Sequence, residues 1–413
     1  MCRIAVLSVH SCPLAKPGKL DAGGMNVYVQ EVSRELGKRG MTVDVFTRWT
    51  DPQTPQIVEF DDHARVIHLP AGPVKRIHKS QVFQHLPEFI CNLRHFKEEN
   101  DLHYRLVHSH YWLSGWVAGL LRQRWDIPHV AMFHTLGALK NNARPEEKES
   151  TQRIETERRI IATADVIIAS SEDERRNMVS LYGANPGKIR VIPCGVDLTK
   201  FRPMDRRQAK ERVGLDGKRV LLFCGRIEPL KGLDLLFEAM AGLRTQFSDL
   251  HLLVLGEDAS QVGELRRLKR YAGELGILDA VSFVGTVEHD ALPAYYNAAD
   301  VCVVPSHYES FSMVAAEALA CGTPVVASQV GGLQSLVIDH ENGLLVPTRS
   351  SQAFSETIGT ILKDDGLRNR LARTARRSVQ RLGWSAVGQE VLSVYDELAD
   401  ACASRELCLC GRW

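Results

Sequence analysis

The chain has 413 residues, a length that predicts two or three domains at about 150 residues each. Its 51 Lys and Arg residues balance 50 Asp and Glu residues, and the formal net charge of +1 argues against a strongly basic nucleic-acid-binding protein. Apolar residues make up 44% and charged residues 24% of the sequence, which is too apolar for disorder and ordinary for a globular protein.

The first half alternates short β-branched runs with amphipathic stretches of helical length. Continuous apolar strands separated by helices predict a parallel sheet that is covered on both faces. We expect strands at 4–9, 43–46, 66–69, 106–108, 130–133, 166–169 and 189–192, and helices that include 26–38, 112–124 and 146–162.

The pattern restarts after a polar stretch at 204–218, with further strands predicted at 220–223, 250–255, 281–284, 301–304, 325–327 and 344–346. The sequence therefore predicts an α/β protein with two doubly wound Rossmann-like domains, residues 1–200 and 201–384, that face a cleft. A last helix at about 385–400 has no strand after it, so the segment 385–413 is a candidate for packing back on the first domain. Ligands of such sheets bind at the carboxyl ends of the strands, which makes the cleft the expected active site.

Ten cysteines are spread over the chain, and most lie inside apolar runs, as Cys224 and Cys302 do. That distribution predicts reduced, buried thiols in a cytoplasmic protein. Cys408 and Cys410 in the tail lack the second pair or the histidine cluster of a zinc site, so no metal site is expected. No apolar run approaches the roughly 18 residues of a membrane span.

A glycine pair, Gly23 and Gly24, ends the long loop after the first predicted strand and precedes a helix. Glycine lets backbone N–H groups approach a phosphate at a helix N-terminus, although a plain Gly-rich turn has the same sequence. The loop has about 15 residues where most such loops have 2–6, which favours a phosphate site. The spacing is not the G-x-G-x-x-G of a dinucleotide-binding fold.

Two cations, Arg226 and Lys231, flank a turn after the strand at 220–223. A solvated basic loop would have the same composition, but the position at the carboxyl end of a strand favours function. Cations beside a helix N-terminus neutralise a diphosphate, which matters most when it is a leaving group that gains charge.

Two carboxylates, Glu309 and Glu317, lie eight residues apart around the start of an apolar helix that is expected to begin near Ser312. In a helix they would be roughly 12 Å apart, whereas the carboxylates of retaining hydrolysis are about 5 Å apart. We therefore expect two separate contacts, one with a sugar and one with a ribose. Glu317 as an exposed helix residue is the alternative, but a charge in such apolar surroundings needs a partner.

The histidines at 108, 110 and 134 also lie where strands are expected to end. Taken alone, each is more typical of a structural residue than of a catalytic one. Lys79 and Arg153, taken alone, are interpreted as surface charges.

The segments CGRIEPLKG, E-x₇-E and ALACGTPVVASQVGGL resemble those of retaining GT-B glycosyltransferases that use nucleotide-sugars. In the first half, HSCPLAKPG, DAGGMNVYV, HSHYWLSG, FHTLGALKN and the helix around Arg153 resemble the D-inositol-3-phosphate glycosyltransferases of mycothiol biosynthesis and, less closely, the sucrose-phosphate synthases. The likeness spans nearly the whole chain and implies a GT-B fold.

The resemblance implies a role for each matching residue: cations and glycine amides on the donor diphosphate, Glu309 on the donor sugar, Glu317 on the ribose, and residues of the first half on a phosphorylated acceptor. The implied donor-binding residues are Gly23, Gly24, Arg226, Lys231, Thr286, Val287, Glu309, Ser310, Phe311, Ser312 and Glu317. The implied catalytic residues are Arg226, Lys231, Glu309 and His134, where His134 contacts the donor sugar. The implied acceptor-binding residues are His10, Asn26, Lys79, Tyr111, Thr135 and Arg153. This assignment replaces the surface interpretation of Lys79 and Arg153.

Two departures bear on specificity: the family often has glycine where this chain has Ser312, and Glu288 places a carboxylate near the expected base pocket. The expected reaction is retaining transfer of a hexosyl unit, N-acetylglucosamine or glucose, from a UDP-sugar to a phosphorylated polyol or sugar such as inositol 3-phosphate. No cofactor is required, because the two cations supply a metal's electrostatic effect; bound Mg and a homodimer are left open.

Three alternatives stay open from the sequence. One is a sucrose-phosphate-synthase-like or surface-glycan glycosyltransferase. Another is a UDP-sugar 2-epimerase, which would turn over the donor with no acceptor present. The third is a regulator that binds a nucleotide-sugar without reacting it.

Overall fold

The computed structural model describes residues 2–15, 23–146, 148–256 and 262–410, with side chains in the last helix as far as Ala399. The middle of the loop before Gly23 and the side chains of the cysteines at 402, 408 and 410 lie outside the described part. Among the described residues no helix combines the length and the apolarity that crossing a membrane requires.

The first half of the chain forms an eight-stranded sheet in the order β3-β4-β2-β1-β5-β6-β7-β8. Its strands are β1 (Cys2–Leu7), β2 (Met41–Arg48), β3 (Ile57–Asp61), β4 (Ala64–Leu69), β5 (Val107–His110), β6 (His129–Met132), β7 (Val166–Ala169) and β8 (Ile189–Val191). All pairings are parallel except that of β3 with β4. Strands such as β7 (VIIA) are buried at every residue, as expected for a sheet with helices on both faces.

The second half forms a six-stranded parallel sheet in the order β11-β10-β9-β12-β13-β14. Its strands are β9 (Arg219–Cys224), β10 (Leu250–Leu255), β11 (Val281–Gly285), β12 (Val301–Val304), β13 (Val325–Ser328) and β14 (Gly343–Val346). The predicted α/β fold with two Rossmann-like sheets is confirmed. The chain passes from one sheet to the other between Val191 and Arg219, a stretch that contains the predicted domain boundary.

Helices connect the strands of both sheets. Those of the first half are α1 (Gly24–Lys38), α2 (Lys79–Val82), α3 (Leu86–Glu99), α4 (Tyr111–Trp125), α5 (Gly137–Ala143), α6 (Thr151–Thr163) and α7 (Glu172–Tyr182). Those of the second half are α8 (Arg206–Arg212), α9 (Leu233–Arg244), α10 (Val262–Glu274), α11 (Leu292–Ala298), α12 (Met313–Ala320), α13 (Leu333–Leu336), α14 (Ser351–Lys363), α15 (Asp365–Ser378) and α16 (Trp384–Cys410). Single 3₁₀ turns occur at Phe83–His85, Pro186–Lys188, Pro229–Lys231, Leu278–Ala280 and Gln380–Leu382.

The topology fixes where a ligand can bind. In the first sheet β1 lies between β2 and β5, and in the second β9 lies between β10 and β12, so the direction of winding reverses beside each of these strands. At such a reversal the loops diverge and leave a crevice beyond the carboxyl ends of the strands. The two crevices face each other.

The last helix crosses back to the first domain, as the sequence suggested. α16 packs against α1, and the Arg39 guanidinium donates to the carbonyl of Ser385 at 2.7 Å. Farther along, the Tyr395 hydroxyl lies 2.7 Å from His108 Nδ1 in β5. The backbone N–H of Val196, in the linker between the domains, donates to the carbonyl of Leu382 just before α16. The linker and the start of α16, the two segments that pass between the domains, therefore lie side by side.

Three local expectations differ from the structure. The sequence missed β3, because this antiparallel edge strand is partly exposed and lacks a continuous apolar run. The helix expected at 146–162 begins only at Thr151, since Ser150 caps it by accepting from the Arg153 amide. The polar stretch at 204–218 contains α8, which Asp205 caps.

The contact between α16 and α1 predicts an effect at Gly388. A Cβ there would lie 2.5 Å from Cβ of Glu35 in α1. We expect Gly388→Ala to lower stability by about 1–3 kcal/mol, the usual range for overpacking, and to lower the melting temperature in thermal unfolding. In the control Gly119→Ala, an added Cβ meets nothing within 4 Å. Helix propensity alone should make that change stabilising by about 1 kcal/mol. Equal melting temperatures for the two variants would contradict the packing of α16 on α1.

Candidate active site

A cavity of about 370 Å³ lies between the facing crevices, and every candidate site residue named from the sequence lines it. The lining residues of the first domain include those that follow β1, β5 and β6. The lining residues of the second domain include those that follow β9, β11 and β12. The structure therefore brings together residues from His10 to Glu317, which lie far apart in the chain, around one cavity.

The glycine turn lies at the N-terminus of α1, with Gly23 as the N-cap. The Asn26 side chain shapes this turn, because its Oδ1 accepts from the Gly23 amide at 3.0 Å and its Nδ2 donates to Ser11 and Cys12. Across the cavity, a Cβ on Gly24 would lie 3.1 Å from the Met313 sulfur at the start of α12. The positive ends of two helices, one from each domain, therefore face the same space.

Lys231 and Glu309 form an ion pair beside these helix ends. Lys231 Nζ donates to Glu309 Oε1 at 2.7 Å, and Ser306 Oγ donates to the same oxygen at 2.9 Å. The turn that carries Lys231 ends at Gly232, whose φ is +67° and where an added Cβ would lie 2.2 Å from the carbonyl oxygen of Pro305. Only glycine fits there, so this position decides how closely Lys231 approaches Glu309.

Arg226 stays more exposed than Lys231. Its guanidinium pairs with Glu228 at 3.1 Å, and 41% of its side chain is exposed. An exposed pair of this kind contributes little stability, so Arg226 is available to a ligand at low energetic cost.

Glu317 has the internal partners that a charge on an apolar helix requires. Tyr296 Oη donates to Oε2 at 2.7 Å, and His289 Nε2 lies 3.2 Å from Oε1. The carboxylate is oriented by these two groups, yet Glu317 still lines the cavity.

Arg153 is buried with 1% of its side chain exposed, so the interpretation of it as a surface charge was wrong. Its guanidinium donates to Glu157 Oε1 at 2.7 Å and to Thr135, and it pairs with Glu149 Oε1 at 2.9 Å. It also lies over the Tyr111 ring at 4.9 Å. Two carboxylates compensate for its burial: Glu149, which lies just before the N-cap of α6, and Glu157, which lies one helical turn after Arg153.

A second cationic cluster surrounds Arg153. Lys140 donates to Glu149 at 2.6 Å, and Lys79 lines the cavity without an ion pair to any described residue. Burial raises the pKa of Glu149, but Arg153, Lys140 and Lys79 outweigh that effect and lower the pKa to about 2. The cluster of Lys79, Lys140 and Arg153 against Glu149 and Glu157 leaves an excess of positive charge on the side of the first domain.

The histidines near the strand ends differ in exposure: His110 in β5 is buried, whereas His10 and His134 are half-buried and line the cavity. His110 Nδ1 lies 3.0 Å from His134 Nε2, and the His10 ring packs on Tyr111 with centroids 4.5 Å apart. Burial lowers the pKa of His10 and of His134 to about 3. These imidazoles therefore act as neutral hydrogen-bonding groups and not as cations at physiological pH.

Backbone strain concentrates at the cavity. Tyr111, His134 and Ser312 have φ of +74°, +60° and +89°, and residues other than glycine rarely adopt such positive φ values. Each such residue costs on the order of 1–3 kcal/mol and tends to occur at functional sites.

The lobes touch each other at Ser310. Its Oγ donates to the carbonyl of His134 in the first domain, and its own carbonyl accepts from Ser170 Oγ at 3.1 Å. Arg349 makes a further bridge by donating to the carbonyls of Ala143 and His307, both at 3.1 Å. The two domains therefore contact each other directly beside the cavity.

Sequence reasoning missed three residues of this site: Lys140, Glu149 and His289. Lys140 lies in a segment that carried the resemblance, but nothing marked it as lining the cavity. The spacing of Glu149, Arg153 and Glu157, four residues each, was a readable signal for a compensated arginine. Glu288, the departure noted in the sequence, is exposed beside His289.

Comparisons with known proteins identify the family of the chain. The family described as glycosyltransferase family 4 matches residues 22–200, and glycosyl transferases group 1 matches residues 205–378. The chain is 42% identical to a D-inositol 3-phosphate glycosyltransferase of Xylanimonas cellulosilytica over 95% of this chain and 96% of the relative. It is also 42% identical to the D-inositol 3-phosphate glycosyltransferase of Kineococcus radiotolerans, over 95% of this chain and 94% of that relative.

Solved structures agree on the fold. A sucrose-phosphate synthase of Thermosynechococcus elongatus superposes with a TM-score of 0.91 at 38% identity, over 97% of this chain and 100% of that one. Anabaena Alr3699/HepE superposes with a TM-score of 0.77 at 20% identity, over 96% and 100%. With 42% identity across nearly its whole length, the chain belongs to the family of the D-inositol 3-phosphate glycosyltransferases and is a GT-B glycosyltransferase.

Proposed function

We propose that this glycosyltransferase transfers a hexosyl unit from a UDP-sugar to a phosphorylated polyol or sugar, with inositol 3-phosphate as the first candidate acceptor. The observation that carries the proposal is the presence of two cationic regions in one cavity, Arg226 and Lys231 in the second domain and Lys79, Lys140 and Arg153 in the first. A diphosphate donor and a phosphorylated acceptor together supply the two anions that such a cavity is suited to bind.

In the donor half, we assign the diphosphate to the space between the first turn of α1 and the cations Arg226 and Lys231. Glu309 then accepts hydrogen bonds from the sugar hydroxyls, and Glu317 accepts them from the ribose. The backbone of Thr286 and Val287 faces the base. The relatives are D-inositol 3-phosphate glycosyltransferases, and their name supports inositol 3-phosphate as the acceptor.

For the chemical step, we propose same-face substitution with retention. The acceptor oxygen forms a bond to the anomeric carbon while the bond from that carbon to the diphosphate breaks, and a diphosphate oxygen takes the acceptor proton. Lys231 and Arg226 stabilise the charge that develops on the leaving group, so no metal is required. Neutral His134 offers hydrogen bonding at the sugar without adding a repelling charge.

A sucrose-phosphate-synthase-like activity is the second candidate, because the Thermosynechococcus elongatus enzyme is 38% identical over nearly the whole chain. Both candidates share a donor half and differ in the acceptor. The same proposal places the enzyme in the cytoplasm, where free thiols such as Cys194 and Cys321 fit a reducing environment.

UDP release tests the proposal across a matrix of UDP-glucose and UDP-N-acetylglucosamine against inositol 3-phosphate, fructose 6-phosphate, unphosphorylated inositol and no acceptor, each with and without EDTA. The proposal expects release with inositol 3-phosphate, none with inositol, and no loss in EDTA. Release with fructose 6-phosphate alone would favour the second candidate. Turnover without any acceptor would indicate an epimerase or a hydrolase and contradict the proposal.

Replacement of Lys231 tests the diphosphate assignment. We expect Lys231→Ala to lower kcat about a hundredfold, because loss of one contact to a developing anion costs about 3 kcal/mol. Lys363, exposed at the end of α14, supplies the control Lys363→Ala, which should leave kcat unchanged. A kcat for Lys231→Ala within threefold of the wild type would remove the proposed role.

Replacement of Lys79 tests the acceptor assignment. Removal of Arg153 would leave the buried carboxylate of Glu157 without its cation, a loss of about 3–5 kcal/mol in stability, so Lys79 is the cleaner position. Steady-state kinetics of Lys79→Ala should show the acceptor KM raised about tenfold or more and the donor KM unchanged. The reason is that a hydrogen bond to a charged group contributes about 1.5–3 kcal/mol. Lys75→Ala, an exposed lysine of the same loop, is the control. An unchanged acceptor KM in Lys79→Ala would contradict the assignment.

Replacement of Ser312 tests the donor sugar. We propose that its Cβ narrows the cavity, which Glu309 also lines. Ser312→Gly should therefore raise the ratio of kcat/KM for UDP-N-acetylglucosamine to kcat/KM for UDP-glucose about tenfold. That is the discrimination that roughly one methylene group gives in a pocket. Ser312→Ala keeps the Cβ and loses only the hydroxyl, so its ratio should match the wild type. If Ser312→Gly leaves the ratio unchanged, Ser312 does not set the donor.

A further inference from the structure

His289 lies between the linker that joins the domains and the carboxylate of Glu317. Its Nδ1 is 3.2 Å from Lys200 Nζ, and its Nε2 is 3.2 Å from Glu317 Oε1. An ammonium group has donors only, so Nδ1 accepts from Lys200 and Nε2 carries the hydrogen that is donated to Glu317. The two neighbours therefore determine a single tautomer of the ring.

The linker also fixes the orientation of the ring. Phe201 is 1% exposed and packs edge-on against the His289 ring, with centroids 5.2 Å apart. Lys200 is held in turn by Asp290 at 2.7 Å. Two consecutive linker residues thus contact His289 from one side while its Nε2 points to Glu317.

Glu317 receives one hydrogen bond on each oxygen, from His289 and from Tyr296, and 7% of its side chain is exposed. Each carboxylate oxygen has a further lone pair and can accept a second hydrogen bond. A carboxylate held in one plane presents these two sites side by side, which matches two adjacent hydroxyl groups. Two vicinal hydroxyls are what a ribose offers.

We propose that His289 is a positioning residue that orients Glu317 toward the 2′- and 3′-hydroxyls of the nucleotide ribose, and that Lys200 of the interdomain linker sets its tautomer. The inference rests on the proposed function, in which Glu317 binds the ribose. Loss of one hydrogen bond to a charged group typically changes affinity by about tenfold or more.

The test compares UDP with 2′,3′-dideoxy-UDP in calorimetric titrations of the full chain. In His289→Asn the side-chain amide ends near the Nδ1 position and does not reach Glu317, whereas in His289→Gln it extends to the Nε2 position. We expect His289→Asn to weaken UDP about tenfold while leaving dideoxy-UDP unchanged, and His289→Gln to retain most of the affinity for UDP. The control is His103→Asn, because the His103 side chain is 81% exposed and lies away from the cavity.

Each outcome decides the matter. Equal weakening of UDP and dideoxy-UDP in His289→Asn would show that His289 acts on the base or on the fold, and overturns the proposal. If His289→Asn prefers UDP over dideoxy-UDP as strongly as the wild type does, His289 does not position Glu317. That result overturns the proposal about His289 and leaves the proposed glycosyl transfer intact. If the wild type does not prefer UDP over its dideoxy analogue, Glu317 does not bind the ribose; that assignment and the present proposal then fail, while glycosyl transfer itself is tested separately by UDP release. Lys200→Met is a second variant that keeps the histidine, and it should reduce the preference for UDP in the same direction.

Discussion

Positive charge at the centre of the cleft is the constraint on which the rest of this structure depends. The N-termini of α1 and α12 face each other from opposite domains, and Lys231 and Arg226 lie beside them. Without a ligand, Glu309 and Glu228 balance the two cations. Such an arrangement favours a dianionic group, and it favours even more a group whose charge increases during the reaction. In the proposed function, the same few atoms bind the donor diphosphate and stabilise it as the leaving group.

The surrounding structure holds this charge in place. Gly232 lets the turn that carries Lys231 pack against the end of β12, and Gly331 does the same for the backbone of Glu309, since a Cβ there would lie 1.9 Å from the Glu309 carbonyl oxygen. Ser310 connects the loop of Glu309 to the backbone of His134 in the other domain. A motion that separates the domains would therefore break contacts next to both the proposed donor region and the proposed acceptor region.

Much of the fold was predictable from local pattern, because strands buried on both faces are apolar throughout and need no knowledge of their neighbours. β3 was not predicted, because it is a partly exposed edge strand. The start of α6 was predicted too early, because the Ser150 cap fixes it at Thr151. The place of Lys231, Glu309 and His134 at the cavity was predictable from position, because each follows a predicted strand. Arg153 shows the limit of composition alone, since its guanidinium is buried between two carboxylates, Glu149 before the start of α6 and Glu157 one turn along it. The contact of His289 with Lys200 depends on how the linker folds over the second domain, which no local pattern contains.

A crystal structure of the chain with bound UDP tests the central claim most directly. The account predicts the diphosphate between the first turn of α1 and the side chains of Arg226 and Lys231, with the ribose at Glu317. A nucleotide bound outside the space between the two domains, or with its diphosphate away from Lys231, would contradict it.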